Sequence, residues 1–312
     1  MATTPKTVVV TGATGAQGGG VVDALLLAGN KKVRAITRNA SSQKAKDLAA
    51  RGVEVVEADL NDTASLTKAF TGANELFLVT DFYGAGFSYD NELKQGTNAI
   101  DAAKEAGVDF VVFSYLEQPP KDVQDGLPRL EDGRTVAHFE SKHDIGEYLA
   151  KSGLPFTLLI TCMFYDNMIT FTMYQKQTDG SYVFSNNLGN EPHGAHSVGT
   201  IGQTVAAVLE DPQKYNGKTI PVVGEQISQP EMAQIVSDVT GKNVKYHAMS
   251  DEQFASLPMP AAQDLTNMFA YYRKWNYYDQ LRPLSERLVS GPTFKEWAEA
   301  HREVLKSKIE SS

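Results

Sequence analysis

Short apolar runs alternate with longer segments of helical spacing through the first half of the chain. Runs of β-branched and aromatic residues favour strands, whereas apolar residues spaced three or four apart favour helices. The predicted strands lie at residues 8–10, 32–37, 53–58, 75–79, 108–114 and 156–160, and the clearest helices at 21–27, 89–106 and 135–151. This alternation predicts an α/β fold, a doubly wound parallel sheet of the Rossmann type. Ligands of such sheets bind at the carboxyl ends of the strands.

The pattern becomes less regular after residue 160. Loops lengthen, as at 178–195. Predicted helices at 201–209, 229–239 and 293–305 are joined by short strands at 219–223 and 244–248. We therefore expect residues 1–160 to form the sheet domain and residues 161–312 a smaller, irregular α+β lobe for a substrate or partner, some of whose segments pack back on the sheet. An aromatic stretch at 267–278 is interpreted as core, with a substrate pocket or a partner surface as the alternative.

Glycines are concentrated between the first strand and the first helix. Gly12, Gly15 and Gly18 follow the first apolar run at intervals of three. A strand, a tight glycine turn and a helix N-terminus present free backbone N–H groups and the positive end of the helix dipole, which suit a pyrophosphate. A glycine-rich surface loop is the alternative, but the position between a strand and a helix favours a dinucleotide-binding turn.

The end of the second strand indicates which dinucleotide is bound. In a dinucleotide fold an acidic residue here binds the 2′-hydroxyl of NAD, whereas an arginine accommodates the 2′-phosphate of NADP. The residue is Arg38, whose guanidinium matches a phosphate. We therefore predict NADP(H) rather than NAD(H), with an ordinary surface charge as the alternative role of Arg38. Asp59, ending the third strand, is predicted beside the adenine or, alternatively, as a cap of the following helix.

Composition narrows the functional classes. The chain has 312 residues, 42% of them hydrophobic, one cysteine and a formal net charge of −9. Such a chain can bury a core without disulfides, and a single cysteine fits a reducing compartment. Direct nucleic-acid binding needs a cluster of Lys and Arg, which the sequence lacks. With neither a secretory pattern at its start nor an apolar run of membrane-spanning length, the protein is expected in the cytoplasm, with access to the nucleus left open.

A candidate active site is predicted from the fifth strand and the next helix. Ser114 ends the strand, and His138 and Lys142 stand four apart on one helix face. Short-chain dehydrogenases place Ser, Tyr and Lys this way, the lysine favouring the phenolate so that the tyrosine can pass a proton. Histidine replaces the tyrosine here, and an imidazole can donate the proton near neutral pH while Ser114 polarises the acceptor. The alternatives are a spectator His138 and a Lys142 that only holds the nicotinamide ribose.

Other polar residues are assigned to the substrate or to structural roles. Tyr83, Tyr115 and Tyr165 are predicted to line the substrate cleft and to offer a hydroxyl there. His193 and His196 have neither cysteine nor carboxylate at ligand spacing, so no metal site is predicted. The G-x-S-x-G elbow of serine hydrolases is absent.

The glycine turn and several later segments together resemble the NmrA-like family, a branch of the atypical short-chain dehydrogenases/reductases. The resemblance covers nearly the whole chain and is nearest to the vertebrate members that sense NADPH. The segments that carry it are residues 9–19, Thr37-Arg38-Asn39, Lys94-Gln95-Gly96, His138-Phe139-Glu140-Ser141-Lys142, Ser197-Val198 and Asn267-Met268-Phe269.

This resemblance implies a Rossmann fold with a small C-terminal lobe and a bound NADP(H). It places Thr14 and Gln17 in the cofactor-binding turn, Arg38 at the 2′-phosphate and Lys142 near the nicotinamide ribose. The family leaves the activity open, because some members are regulators with no known turnover and others are reductases without the usual tyrosine.

Two hypotheses of different classes therefore remain. The preferred one is an NADPH-dependent reductase of a small carbonyl, imine or conjugated substrate, favoured by the retained Ser114 and Lys142 and by the aromatic residues. The alternative is a catalytically silent NADPH sensor, or transcriptional co-regulator, that acts through protein partners and is favoured by the missing tyrosine. A homodimer is compatible with both.

Overall fold

The computed structural model describes residues 5–275 and 288–311, which form two compact units. The first unit contains the residues up to Gln118, with Ala137–Thr161 and Val198–Pro221. The second contains Pro119–Val136, Cys162–Ser197 and the described residues from Val222 onward. Neither unit is one continuous stretch of chain. The division of cofactor and substrate functions at residue 160 stays a prediction.

The described strands are β1 (Thr7–Val10), β2 (Lys32–Thr37), β3 (Glu54–Glu57), β4 (Glu75–Leu78), β5 (Phe110–Tyr115), β6 (Phe156–Thr161), β7 (Met163–Phe164), β8 (Gln175–Lys176), β9 (Tyr182–Asn186), β10 (His193–His196), β11 (Lys218–Val222), β12 (Glu225–Ile227) and β13 (Val244–Ala248). They coincide closely with the predicted ones at β1 to β6, β11 and β13, whereas β7 to β10 and β12 were not predicted.

Helices follow most strands of the first half, and helices of mixed length make up much of the rest of the chain. They are α1 (Ala16–Ala28), α2 (Gln43–Ala50), α3 (Thr63–Phe70), α4 (Tyr89–Glu105), α5 (Lys121–Gln124), α6 (Ala137–Ser152), α7 (Asn167–Thr170), α8 (Val198–Glu210), α9 (Pro212–Tyr215), α10 (Gln229–Thr240), α11 (Asp251–Ala255), α12 (Ala262–Lys274), α13 (Phe294–Ala300) and α14 (Arg302–Glu310). Among these described helices, none combines the length and the apolar character that a membrane crossing requires.

The first unit is built on a seven-stranded sheet in the order β11-β6-β5-β4-β1-β2-β3. Neighbouring strands from β3 across to β6 run parallel. The interior strands β4 and β5 are buried at every residue, which explains why they read as continuous apolar runs. The order 3-2-1-4-5-6 is that of the Rossmann fold, so the predicted fold class is confirmed.

Helix α8 and strand β11 belong to this first unit, although their sequence lies within the predicted smaller lobe. The reason is a close approach between α1 and α8 at two glycines. A Cβ atom on Gly202 would collide with the backbone carbonyl of Gly20 and lie 3.1 Å from the Cβ of Ala24. Because neither glycine carries a side chain, the two helices can pack almost backbone to backbone.

The second unit has the mixed, irregular character that the sequence predicts. It contains two three-stranded sheets, β12-β10-β7 and β13-β9-β8, around a core that includes Tyr165, Phe294 and Trp297. The single helix predicted at 293–305 is two helices, α13 and α14, which meet at His301.

The aromatic stretch predicted as core at 267–278 is buried only in part, at Asn267, Ala270 and Tyr271. Tyr271 on α12 is fully buried. The Asn267 amide is also buried, and it donates hydrogen bonds to the carbonyls of Pro128 and Thr135 at 2.8 and 2.7 Å. Residues 276–278 of the stretch lie outside the described residues.

Candidate functional site

The glycine turn between β1 and α1 closes on itself and leaves no room for a side chain at Gly12 or Gly18. Gly12 has a φ of +58°, and a Cβ atom there would lie 2.8 Å from Cγ1 of Val79. A Cβ atom on Gly18 would lie 2.6 Å from the carbonyl oxygen of Thr11 and closer still to that of Gly12. The Gly15 N–H donates to the Gly12 carbonyl at 2.9 Å, which completes the turn. The backbone can therefore approach a ligand directly.

Among the described residues, no side chain caps the N-terminus of α1. The N-cap is Gly15, and the first turn of the helix holds no acidic residue. The next three helices of the unit are capped by Ser42, Asp62 and Ser88, whose side chains accept from backbone N–H groups. Since the first N–H groups of a helix need an acceptor, the turn fits a bound phosphate.

The predicted Ser114 is directed at the glycine turn. Its hydroxyl donates to Oε1 of Gln17 at 2.7 Å, and the serine is 1% exposed. Ser114 therefore holds the side chain of Gln17, which is half-buried at the start of α1. Thr14, in the turn before α1, is also half-buried. This placement does not support the predicted polarisation of an acceptor by Ser114, because the hydroxyl proton is already donated inside the protein.

Arg38 lies exposed just beyond the end of β2. Within the described ranges its guanidinium makes no hydrogen bond or ion pair. The neighbouring Arg34, by contrast, binds the Glu54 carboxylate at 2.9 Å and two backbone carbonyls. Arg38 is therefore available to an anion in a way that Arg34 is not.

A second cation, which was not predicted from the sequence, contacts the glycine turn. Lys44 is in the first turn of α2, and its Nζ donates to the Thr14 carbonyl of the glycine turn at 3.3 Å. A cation at the positive end of a helix dipole is unfavourable without an anion nearby. Its place two residues after the N-cap Ser42 is the sequence signal that could have identified it.

Asp59 lies half-buried at the end of β3. Its carboxylate accepts from the backbone N–H and the side-chain amide of Asn61, both at 2.9 Å. The alternative role of capping α3 belongs instead to Asp62. The contact of Asp59 with adenine stays a prediction.

Lys142 lies in a buried polar network that joins α6, α4 and the end of β4. Its ammonium donates to the carbonyl and the hydroxyl oxygen of Thr80 at 3.1 and 3.0 Å and forms an ion pair with Oε1 of Glu92. The hydroxyls of Thr80 and Ser141 donate to the same carboxylate. Glu92 is 0% exposed and Lys142 8%. The three ammonium protons therefore already have three acceptors.

His138, one turn before Lys142, is buried among aromatic rings. Its imidazole centroid is 5.7 Å from the ring of Phe82 and 4.9 Å from that of Phe139. Phe82 belongs to the loop after β4, which also carries the exposed Tyr83 and Phe87. Tyr83 was predicted in this region from the sequence, whereas the two phenylalanines of the loop were not.

Two of the predicted cleft tyrosines are core residues instead. Tyr115 is 8% exposed, its hydroxyl lies 2.7 Å from Nδ1 of His143, and its ring fills the space that a side chain at Gly146 would need. Tyr165 is 0% exposed and its hydroxyl donates to Glu225 at 3.0 Å. Neither placement supports a role in a substrate cleft, because both rings pack inside their own unit.

His193 and His196 are buried on β10. Burial lowers the pKa of each to about 4, so both rings are neutral near pH 7. Nδ1 of His196 contacts the Ser197 carbonyl at 2.8 Å, which assigns the proton to that nitrogen and leaves Nε2 as an acceptor. Among the residues that the structure describes, no group of three or more His, Cys, Asp or Glu side chains could hold a metal ion.

Comparison with known proteins places these features in a family. Residues 4–301 match the NmrA-like family. An NmrA-like family domain-containing protein of Dictyostelium discoideum is 26% identical over 94% of this chain and 96% of its own length. Quinone oxidoreductase 2 of Escherichia coli is 28% identical over 92% of this chain and 94% of its own.

A solved structure shares the fold. The crystal structure of NmrA, a negative transcriptional regulator, in complex with NADP aligns with a TM-score of 0.78 and 19% identity. The alignment covers 98% of each chain.

Proposed function

Because the chain belongs to the NmrA-like family, we propose that it is an NADPH-dependent reductase of a small conjugated carbonyl or imine, a quinone being the first candidate. The observation that carries the proposal is the set of features at the carboxyl ends of adjacent parallel strands. A glycine turn follows β1, and no described side chain caps the helix after it. The exposed Arg38 follows β2 without an ion pair to any described residue, and the loop after β4 contacts His138. The name of the Escherichia coli relative supports a quinone as the substrate.

The cofactor would be held along this edge of the sheet. Backbone N–H groups of Gly12, Gly15 and Gly18 would surround the pyrophosphate, with Thr14 and Gln17 completing the turn. The exposed Arg38, with Lys44, would bind the 2′-phosphate. The negative charge of the phosphate would offset the unfavourable position of the Lys44 ammonium at the N-terminus of α2. Asp59 would lie at the adenine. The reduced nicotinamide, when bound, supplies the hydride that the reaction needs.

Lys142 would reach the nicotinamide ribose by exchanging one of its three acceptors. The bond to the neutral Thr80 carbonyl, at 3.1 Å, is the one that a ribose hydroxyl would replace. The ion pair with Glu92 is charge-assisted and would be kept. Glu92 therefore orients the ammonium in this proposal.

His138 would supply the proton to the reduced acceptor. It holds the position that a tyrosine occupies in short-chain dehydrogenases, four residues before Lys142, and an imidazole exchanges protons near neutral pH. Ser114 would act only indirectly, by fixing Gln17 in the glycine turn.

Turnover tests the reductase. The protein with NADPH and a naphthoquinone is expected to consume NADPH, measured as the loss of absorbance of the reduced nicotinamide. Replacing His138 with glutamine is expected to lower kcat by about 100-fold, the usual contribution of a positioned general acid, with the Kd for NADPH unchanged. Equal kcat values for the wild type and His138→Gln would show that His138 is not the proton donor.

A sensor is the second candidate function, and a specific observation favours it. The hydroxyl of Ser114 and the ammonium of Lys142 are both engaged by other residues of the protein, so the Ser-His-Lys set is less open than the sequence alone indicates. If no quinone, imine or enone is reduced while NADPH still raises the melting temperature, the sensor acting through a protein partner replaces the reductase.

Cofactor preference tests the assignment of Arg38. Arg38→Glu is expected to weaken NADPH binding by about 100-fold, because a charge-assisted pair becomes a repulsion, and to leave NADH binding within about threefold. The measurement is calorimetric titration with each cofactor. Arg51→Glu is the matched control, since the Arg51 guanidinium is exposed but paired with Asp23 at 2.6 Å. Equal losses for NADPH and NADH would contradict the assignment.

A further inference from the structure

The loop between β4 and α4 starts directly against the glycine turn. The Val79 N–H donates to the Thr11 hydroxyl at 2.8 Å, and that hydroxyl lies 3.1 Å from the Val79 carbonyl. The Val79 side chain also fills the space beside Gly12. The later residues of the loop therefore begin at the carboxyl end of β4, beside the glycine turn that is proposed to bind the cofactor.

The loop is held in one conformation by its own hydrogen bonds. The carbonyl of Asp81 accepts from the Ala85 N–H at 2.8 Å, and its carboxylate accepts from the Tyr83 N–H at 3.1 Å. The Phe87 N–H donates to the Phe82 carbonyl at 2.9 Å. These bonds fix where the rings of the loop point.

Two of those rings are directed outward. Tyr83 is 45% exposed and Phe87 39%, and their ring centroids are 5.5 Å apart at an interplanar angle of 76°. Phe82 lies 6.3 Å from each and 5.7 Å from the imidazole of His138. The Phe82 ring therefore contacts both the exposed pair and His138, the proposed proton donor.

The backbone of Phe87 adds an independent sign of function. Its φ is +58°, in the left-handed region that a bulky side chain rarely adopts. Such strain costs on the order of 1 kcal/mol or more and is found preferentially at ligand-binding positions. A glycine would adopt this conformation without strain, so the ring is retained at a cost in stability.

We propose that Tyr83 and Phe87 form an aromatic platform that binds the planar ring system of a conjugated acceptor. The exposed parts of the two residues amount to roughly 200 Å², which is comparable with the area that one aromatic ring system buries. An edge-to-face pair gives a flat ligand one face and one edge to contact. This inference rests on the proposed reductase and names the residues that bind the ring of its acceptor.

Equilibrium binding tests the platform without relying on turnover. Protein saturated with NADP⁺, which cannot reduce the ligand, is titrated calorimetrically with 2-methyl-1,4-naphthoquinone. Tyr83→Ala and Phe87→Gly are each expected to raise the Kd for the quinone by about tenfold and to leave the Kd for NADP⁺ unchanged. Phe87→Gly is also expected to keep or raise the melting temperature, because it relieves the strained φ. Tyr148→Ala is the matched control, at 40% exposure on α6 of the same unit.

The outcomes separate the platform from the reductase. Quinone binding that depends on Tyr83 and Phe87, without NADPH consumption by the wild type, supports the platform and overturns the reductase. Quinone turnover with an unchanged KM in both variants supports the reductase and overturns the platform. No quinone binding to the wild type, or equal losses in Tyr148→Ala, also overturns it. A small aliphatic diketone, which lacks a ring, is expected to bind the variants and the wild type alike.

Discussion

Replacing Glu92 with leucine is expected to lower the free energy of unfolding by about 4 kcal/mol. The substitution leaves the Lys142 ammonium in a buried site with no counter-charge and removes the acceptor of the Thr80 and Ser141 hydroxyls. Lys142→Met is expected to cost a similar amount, since it leaves the carboxylate unpaired. Urea denaturation followed by circular dichroism measures both losses.

The double variant Glu92→Leu/Lys142→Met gives the sharper result. Both charges are removed together, so its loss is expected to be smaller than the sum of the single losses by about 2 kcal/mol or more. Lys121→Ala is the surface control: Lys121 is 86% exposed in its pair with Asp125, and its removal is expected to cost less than about 0.5 kcal/mol. Additive single losses, or losses as small as the control, would show that the pair contributes little.

The same double variant reports on the cofactor. If Lys142 binds the nicotinamide ribose, the variant, once folded, binds NADPH about tenfold more weakly, the usual contribution of a hydrogen bond from a charged group. An unchanged Kd would assign the ion pair to stability alone.

Alanine at Gly18 is expected to abolish cofactor binding, whereas alanine at Gly19 is expected to be tolerated. A Cβ atom at Gly18 meets the backbone carbonyls of Thr11 and Gly12, which cannot move without opening the turn. A Cβ atom at Gly19 meets nothing nearer than the Ala13 carbonyl at 3.6 Å, an ordinary contact.

The two variants are expected to differ in stability as well as in binding. Gly18→Ala should lose about 3 kcal/mol of unfolding free energy and at least about 100-fold in NADPH affinity. Gly19→Ala should gain up to about 1 kcal/mol, because alanine favours the helix. Calorimetric titration and denaturation of both proteins measure these effects. Similar behaviour of the two variants would contradict the geometry of the turn.

The fold could be predicted from the sequence wherever one local pattern dominates. The strands β1, β4, β5 and β6 are buried on both faces or nearly so, and their runs of Val, Ile, Leu and Phe leave little choice of structure. The position of α8 and β11 could not be read locally. It depends on the close contact between Gly20 and Gly202. These two residues are far apart in the chain, so no local hydrophobic pattern predicts their contact.

Some residues of the candidate site could likewise be predicted from the sequence, and others could not. The glycine turn and the exposed Arg38 could be located from the sequence because they depend on backbone conformation and on position at a strand end, and their roles in cofactor binding stay predictions. The packing of Tyr115 could not be read from the sequence, because alternate residues of a strand face opposite sides and its side is the one covered by α6 at Gly146. Glu92 was missed because an acidic residue in the first turn of a helix is ordinary, and only tertiary packing buries it.

The close contact of α1 with α8 has a consequence for how the chain is made. Synthesis proceeds from the N-terminus, so β6 and the glycine face of α1 are complete before the residues that cover them, 198–221, exist. In between comes Cys162–Ser197, which belongs to the other unit. The β6 edge of the nascent sheet therefore stays unpaired while about sixty further residues are translated. During that interval the exposed edge strand can pair with a strand of another chain, which leads to aggregation. A fragment cut at residue 160 would keep that edge open permanently.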